Sequence, residues 1–447
     1  VIKNKTSANV NVYNIEIEVD NATQDLAISD IGNLGKLPLV WYNGILIHPK
    51  LINSFYLDTE GFLPRLRIYF KDANDIMDNS AFAMDNTIIS IYIDSRTKDS
   101  GSSPALRPIR MDFKIVDFTF LETEKLFYIQ GLPNVDGLYL QNIQSFSKKS
   151  SYNTLKDLAT KIKLGFNTNI SSTDDVMNWI NPGIENYKFI QDVTEKSYKD
   201  ESSFFTSFID YYYNLNFVEV ETELKENVKD LKGILTSMIT SNEDNSQIVG
   251  DLHLVNDAFT KSVYNVVFDD FKVNNKSTKI SLKNGYRTEL FYYDKTGNWN
   301  EKAGTDLKFT LETNTDGKGI ILKSFPKDNK NDGFFKQNIK KEYLPPLDID
   351  NTHRHYNYAS LLNKSNLEEI NKVSMVITMK YPNFNLIKYQ KVLVSIFENT
   401  IGQESLNTRL SGGWLITAIN FIYSPEIGLK QEIKMIKREL SVNNFDV

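Results

Sequence analysis

Alternation dominates the first third of the chain. Apolar and polar positions exchange every second residue in Val10-Asn11-Val12-Tyr13-Asn14-Ile15-Glu16-Ile17-Glu18-Val19 and in Leu63-Pro64-Arg65-Leu66-Arg67-Ile68-Tyr69-Phe70. That is the period of a strand with one buried face. The signal recurs over residues 88–93, 111–120 and 126–129. Asn, Asp, Gly and Pro split these runs, so residues 8–148 read as successive antiparallel strands of a barrel or sandwich. The Ser/Gly/Pro-rich stretch 97–104 fits a loop tip between two of them.

After residue 150 the period lengthens. Leu155, Leu158, Ala159 and Ile162 recur at helical spacing behind Ser151 and Thr154, with Asp157 three residues after Thr154 as a capping-box partner. A short second helix is expected over 173–179, stopped by Asn181-Pro182-Gly183, and a third carries Phe189, Ile190 and Val193 on one face. Residues 204–213 and 217–220 then read as two strands about a tight turn at Asn214-Leu215-Asn216. One face of the first strand must be core, which leaves at most alternate members of Tyr211-Tyr212-Tyr213 for partners.

Residues 225–239 are amphipathic at helical spacing, 241–246 read as loop, and strands resume near 263–268 and 278–282. Residues 285–384 are polar and turn-rich, with Gly297, Gly304, Gly317, Gly319 and Gly333. Strand pattern returns over 389–397, 414–422 and 430–440, and no fixed-period repeat is present. The resulting plan has a first β domain at 8–148 and a helix–helix–hairpin module at 149–222. A second, discontinuous β domain takes 223–284 and 385–440, and an inserted peripheral domain takes 285–384.

Composition narrows the function classes. A chain of 447 residues implies several domains, and 27 Phe, 23 Tyr and 4 Trp supply enough apolar surface for ordered cores. Lys and Arg number 51 against 57 Asp and Glu, a net charge of −6. That balance disfavours a diffuse grip on nucleic acid or anionic membrane and leaves only a local basic lining. The absence of Cys removes disulfides, zinc fingers, iron–sulfur clusters and thiol nucleophiles together. No apolar run approaches the ~18–20 residues of a membrane span. The opening Val1-Ile2-Lys3-Asn4-Lys5 is not a signal peptide, and a start at Val is compatible with a removed leader.

Candidate chemistry is sparse. The four histidines are His48, His253, His353 and His355. On a strand, His353-Arg354-His355 would point both imidazoles to one face, yet no third ligand stands at useful spacing and Arg354 would repel a cation. They read as surface or interface histidines. Asp348-Ile349-Asp350 and Asn314-Thr315-Asp316-Gly317 lack the glycine and glutamate of a calcium loop and read as turns. No phosphate loop, dinucleotide fingerprint, nucleophile elbow or zinc-protease helix occurs. Catalytic, metal and cofactor sites are therefore expected to be absent. Lys323, Lys327, Lys330, Lys336, Lys340 and Lys341, interleaved with Phe325, Phe334 and Phe335, read as a solvated loop in preference to a phosphate track. Trp179 and Trp414 sit in apolar patterns and read as core, whereas Trp299, in Thr296-Gly297-Asn298-Trp299-Asn300, is the loop-exposed one.

One ordered set of segments is more specific. A helix at 152–164 is followed by Trp179, then by Phe189-Ile190, then by Ser202-Ser203-Phe204-Phe205-Thr206-Ser207-Phe208-Ile209-Asp210-Tyr211-Tyr212 and Asn214-Leu215-Asn216-Phe217. This order resembles the central hub protein of contractile phage-tail baseplates, a family that includes the hub portion of type VI secretion spike proteins. The run Pro38-Leu39-Val40-Trp41-Tyr42-Asn43-Gly44 through Lys71-Asp72 looks like that family's first barrel. Leu410-Ser411-Gly412-Gly413-Trp414-Leu415-Ile416-Thr417-Ala418-Ile419, with residues 431–438, looks like its last hairpin. Residues 285–384 depart most from the pattern.

The resemblance implies a mainly β fold with α+β insertions: two antiparallel β-barrel domains, a helix–hairpin module and a peripheral domain. It implies a structural, non-enzymatic protein without cofactors, forming a homotrimeric ring that adapts a sixfold tail tube to a threefold spike around a channel. The implied partners are the central spike protein, the tail tube or a tube-initiator ring, and baseplate wedge proteins. DNA or tape-measure protein would pass transiently, with no stable membrane insertion. The implied location is the virion baseplate, after assembly in the host cytoplasm. Two other readings compete: a peripheral glycan-binding or glycan-degrading tail protein using Trp299, and a receptor-binding adhesin, which should carry one barrel only.

Overall fold

The computed structural model describes residues 38–72, 87–93, 109–225, 253–256, 267–284, 287–292, 320–323, 339–344, 352–353, 355–379, 382–384, 386–400 and 403–437. The expected strand at 10–19, the loop tip at 97–104, the helix beyond Lys225, the loop at 241–246, the start of the strand at 263, Trp299, and the turns at 314–317 and 348–350 lie outside these residues.

The protein is mainly β. β1 (Leu39–Tyr42) and β2 (Ile45–Ile47) form a hairpin about Asn43-Gly44, whose φ values of 46° and 84° suit a two-residue primed turn. β3 (Ile52–Asp58), β4 (Arg65–Lys71), β5 (Ile88–Ile93), β6 (Ile109–Leu121) and β7 (Leu126–Pro133) complete an antiparallel array in the order β3-β4-β7-β6-β5-β1-β2. The alternation read from sequence becomes the inner face here. On β4, Leu66, Ile68 and Phe70 are buried while Arg65, Arg67, Tyr69 and Lys71 face outward. Tyr42, Phe70, Phe118 and Phe127 meet at centroid distances of 5.0–6.5 Å in its core.

The middle of the chain holds β8 (Gln141–Lys149), α1 (Ser151–Lys161), β9 (Gly165–Thr168), β10 (Met177–Glu185), α2 (Asn186–Glu195), β11 (Phe205–Ile209), β12 (Asn214–Glu219) and α3 (Val220–Lys225). β8 and β10 make an antiparallel ribbon; β11, β12 and β9 make a small mixed sheet. Helix α1 forms as its spacing predicts, but its cap is Ser150, whose Oγ accepts from the Asn153 N–H at 3.3 Å. Asp157 instead pairs with Lys149.

Two expectations fail here. Residues 177–179 are strand, not helix, because Trp179 anchors β10 against β8, donating Nε1–H to the Lys149 carbonyl at 3.0 Å. Asn181-Pro182-Gly183 is not a helix stop; it lies within β10, at a register shift where Gly183 takes a φ of 110°.

The remainder holds β13 (His253–Asn256), β14 (Val267–Asn275), α4 (Ser277–Asn284), β15 (Arg287–Tyr292), β16 (Ile320–Lys323), β17 (Ile339–Leu344), α5 (Tyr356–Ile370), β18 (Val373–Met379), β19 (Lys391–Ser395), β20 (Phe397–Thr400), β21 (Gln403–Leu406), β22 (Gly412–Ser424) and β23 (Gly428–Lys437). The strand expected at 278–282 is helix α4, entered through the Asn275 side chain, which accepts from the Ser277 N–H. β15, β16 and β17 form a separate three-stranded sheet, which takes in Lys323, Lys340 and Lys341 of the basic stretch.

Strands β19, β13, β14, β18, β23 and β22 pair in that order, and β19 pairs back onto β22, so the six close into a ring; β13 runs parallel to both β19 and β14, so the ring is mixed and not the antiparallel barrel expected. Strand β18 was expected inside the peripheral segment 285–384. Its pairing with β14 on one side and β23 on the other places it in the ring. The ring joins the first array edge to edge where Phe421, Ile422 and Tyr423 of β22 pair with Leu57, Tyr56 and Phe55 of β3.

Gly131 on β7 marks where the first array is tightest: a Cβ there would stand 2.7 Å from Phe113 Cβ and 3.6 Å from Leu66 Cβ. Gly131→Ala is expected to destabilise the protein by about 1–3 kcal/mol through overpacking, read as a lowered urea midpoint.

Candidate assembly site: the junction of the two β units

Three segments meet beside the β3–β22 seam: the β3–β4 loop at 59–62, the hairpin turn at 208–213, and residues 384–388 before β19. Thr59 ties the loop to β22. Its N–H donates to Asn420 Oδ1 at 3.0 Å, its hydroxyl donates to the Ile419 carbonyl at 2.9 Å, and the Ile419 N–H donates back to Thr59 Oγ1. Asn420 completes the set by donating to the Tyr56 hydroxyl.

Lys388 is buried at the centre. Its Nζ donates to the carbonyls of Thr59 (2.8 Å), Glu60 (3.3 Å) and Gly61 (2.8 Å), and lies 4.8 Å from the Phe208 ring centroid. Burial pulls its pKa down to about 7. The three carbonyl dipoles and the aromatic face pull the other way, toward the ammonium. One side chain thus holds the loop of the first array, the hairpin of the module and the approach to the ring.

The hairpin turn is the second peg, and it corrects the expectation for the tyrosine run. The turn falls at 210–213, not at 214–216, because the Asp210 carboxylate gathers it. It accepts from the N–H groups of Tyr212 (2.8 Å) and Asn214 (2.9 Å) and from the amides of Asn214 and Asn216. Tyr213 takes a φ of 58°. Tyr211 and Tyr213 are buried, and they point to opposite units. Tyr213 accepts from the Asp112 N–H on β6 at 2.7 Å, whereas Tyr211 donates to the Leu386 carbonyl at 3.4 Å and meets Phe421 edge-on. Between these groups lies a small cleft lined by Phe208, Tyr211, Phe384, Leu386, Lys388 and Ile419 among others.

A second cluster fastens α5 to the module. The Asn363 side chain accepts from the Phe205 N–H at 2.9 Å and donates to the carbonyls of Glu195 (2.7 Å) and Ser197 (3.0 Å). His353 and His355 are buried at 6% and 7% exposure, not on the surface, and lie before α5, not on a strand. His353 Nε2 stands 3.1 Å from the Lys196 carbonyl with its ring 6.0 Å from Trp179, and His355 stacks on Tyr198 at 3.9 Å. Nearby, Asp175 accepts from the Ser151 and Tyr198 N–H groups and from the Ser151 and Thr173 hydroxyls; burial still raises its pKa. His253 is also buried, 2.8 Å from Ser395 Oγ, and His48 caps the turn at Pro49–Leu51.

Among the described residues no three His, Asp or Glu side chains group as a metal site. Trp41, Trp179 and Trp414 are each 2% exposed or less, so none of them offers a sugar platform. No helix among the described residues is long and apolar enough to cross a membrane. The sequence signal that could have located the junction is Asp210 four and six residues before two asparagines, an arrangement suited to capping a turn.

No family model matches the sequence, and no curated protein matches it. The fold, in contrast, has solved counterparts. The tail protein from Neisseria meningitidis MC58 superposes with a TM-score of 0.51 at 9% identity, over 90% of this chain and 96% of that one. The 43 kDa tail protein of prophage MuSo2 from Shewanella oneidensis gives 0.51 at 8% identity, over 90% and 98%. An E. coli component of the type VI secretion system, described as similar to T4 phage tail proteins, overlaps with a TM-score of 0.43 at 9% identity, over 91% and 79%. The chain therefore has the fold of phage tail proteins, which the resemblance in its middle and final segments led us to expect.

Removing the central cation should loosen the junction. Lys388→Met leaves three carbonyls without their donor and is expected to cost about 3 kcal/mol or more, measured as a lowered calorimetric midpoint. A pH dependence also follows from the buried imidazoles. Burial lowers both His253 and His353 from 6.5 to about 4. The unfolded chain takes those protons first, so their contribution is complete above pH 6.5 and is lost as pH falls toward 4. The loss is on the order of 2–3 kcal/mol per ring. His353→Gln should flatten the fall of the melting temperature between pH 6.5 and 4.

Proposed function

We propose that this protein is the structural hub of a contractile-tail baseplate. Two β units, a seven-stranded antiparallel array and a closed six-stranded ring in which β13 runs parallel to both its neighbours, lie side by side in each chain, and three chains close into a ring. Six β units then face a sixfold tail tube or tube-initiator ring, while the other face keeps threefold symmetry for a central spike. Wedge proteins attach at the periphery, and the ring encloses the passage for genome or tape-measure protein. In this reading the protein acts in the virion, after assembly in the host cytoplasm, without catalysis or cofactor.

The observation that supports this most directly is the edge-to-edge join of a closed six-stranded ring to a seven-stranded antiparallel array within one chain. Two β units held rigidly at one seam are what a pseudo-sixfold repeat requires. The fold shared with two phage tail proteins points the same way. The glycan-binding alternative rests on Trp299 alone, since Trp41, Trp179 and Trp414 are core.

Light scattering across a concentration series tests the reading. A plateau near three times the 51.4 kDa chain mass, about 154 kDa, is expected for a closed ring. A chain that stays monomeric even with its spike protein added would overturn it.

A further inference from the structure

The β8–β10 ribbon presents an apolar surface. Ile143 is 81% exposed and Ile180 60%, with Leu140 at 62% just before β8. The register puts Ile143 opposite Pro182 and Ile180 opposite Ser145, so Ile143, Ile180 and Pro182 share the outer face as neighbours. Large aliphatics left in water on a single face mark a contact surface more often than a solvated one.

The inner face makes this platform rigid. Phe146 stacks on Phe189 at 6.1 Å, Trp179 is buried, and the Asn181 side-chain Oδ1 accepts from the N–H groups of Gly183 and Ile184.

The two edges of the ribbon differ. β10 carries Pro182, which has no N–H, and two register shifts, both devices that blunt an edge against further pairing. Residues 141–149 of β8 contain neither proline nor glycine, and β8 pairs with no other described strand. The charge on β8 and on the helix after it is mostly basic, with Lys149 paired to Asp157 and Glu185 of β10 opposite Gln141. Between residues 138 and 164 stand Lys148, Lys149, Lys156, Lys161 and Lys163, against Asp157 as the sole acid. All of these lysines are at least partly exposed.

We infer that the β8 edge and outer face of this ribbon dock an extended, acidic and apolar segment of a partner protein, added as a strand along β8. Backbone pairing supplies the register, Ile143 and Ile180 receive the segment's apolar side chains, and the lysines at the rim meet its carboxylates.

The test uses the full-length protein and a labelled decapeptide of alternating valine and glutamate, with the valine–lysine decapeptide as control. Fluorescence anisotropy should show binding of the glutamate peptide alone, weakening severalfold between 50 and about 300 mM salt. Hydrogen exchange should slow across residues 141–149 in the complex. Ile143→Ser, at an exposed position that leaves the melting temperature unchanged, should weaken binding at least tenfold. Equal binding of both peptides, no binding, or binding indifferent to Ile143→Ser would overturn the inference. So would a self-association of the wild-type chain that Ile143→Ser abolishes, since the occupant would then be a second copy. Ring formation is read separately by native mass, so loss of this contact and failure of the hub reading remain distinguishable.

Discussion

Strand β22 has two edges and must serve three neighbours, and the architecture depends on how it divides them. Along one edge it pairs with β23 from Leu415 to Ser424. Along the other, Gly412–Leu415 pairs with β19 and closes the six-stranded ring, whereas Phe421–Tyr423 pairs with β3 and attaches the first array. The short interval between those pairings is where the Ile419 backbone and the Asn420 side chain bond to Thr59. A strand of ordinary length could do one of these tasks. At 13 residues β22 does both, so the units it joins cannot rotate freely about each other.

Around that seam the polar groups are few and shared. Lys388 bridges the first array and the hairpin, Tyr213 reaches β6, Tyr211 reaches residue 386, and Asn363 holds α5 to the end of α2. Each is buried and each satisfies backbone groups that would otherwise be costly to leave without partners.

Much of the fold was legible in the chain. Strands over 88–93, 111–120 and 414–422 and the helix at 151–161 appear where the periodicity puts them. These segments bury one face locally, so their pattern alone contains the answer. Other segments were not legible. Residues 177–179 became strand because β8, some thirty residues away, offers the Trp179 N–H its acceptor. The tyrosine run became a turn because Asp210 could collect four donors at once. His353 and His355 went inside because α2 and Tyr198 supplied a carbonyl and a ring to receive them.

By itself, then, the sequence determined the mainly β character, the helical module in the middle and the aromatic cores, since each follows from side-chain period and composition over short spans. Only the tertiary structure decided that β18 enters the ring, that β22 carries two partners on one edge, and that a lysine is the centre of the junction. Those outcomes depend on groups brought together from positions as far apart as Thr59 and Asn420, and no local pattern records which distant backbone will be there to accept a hydrogen bond.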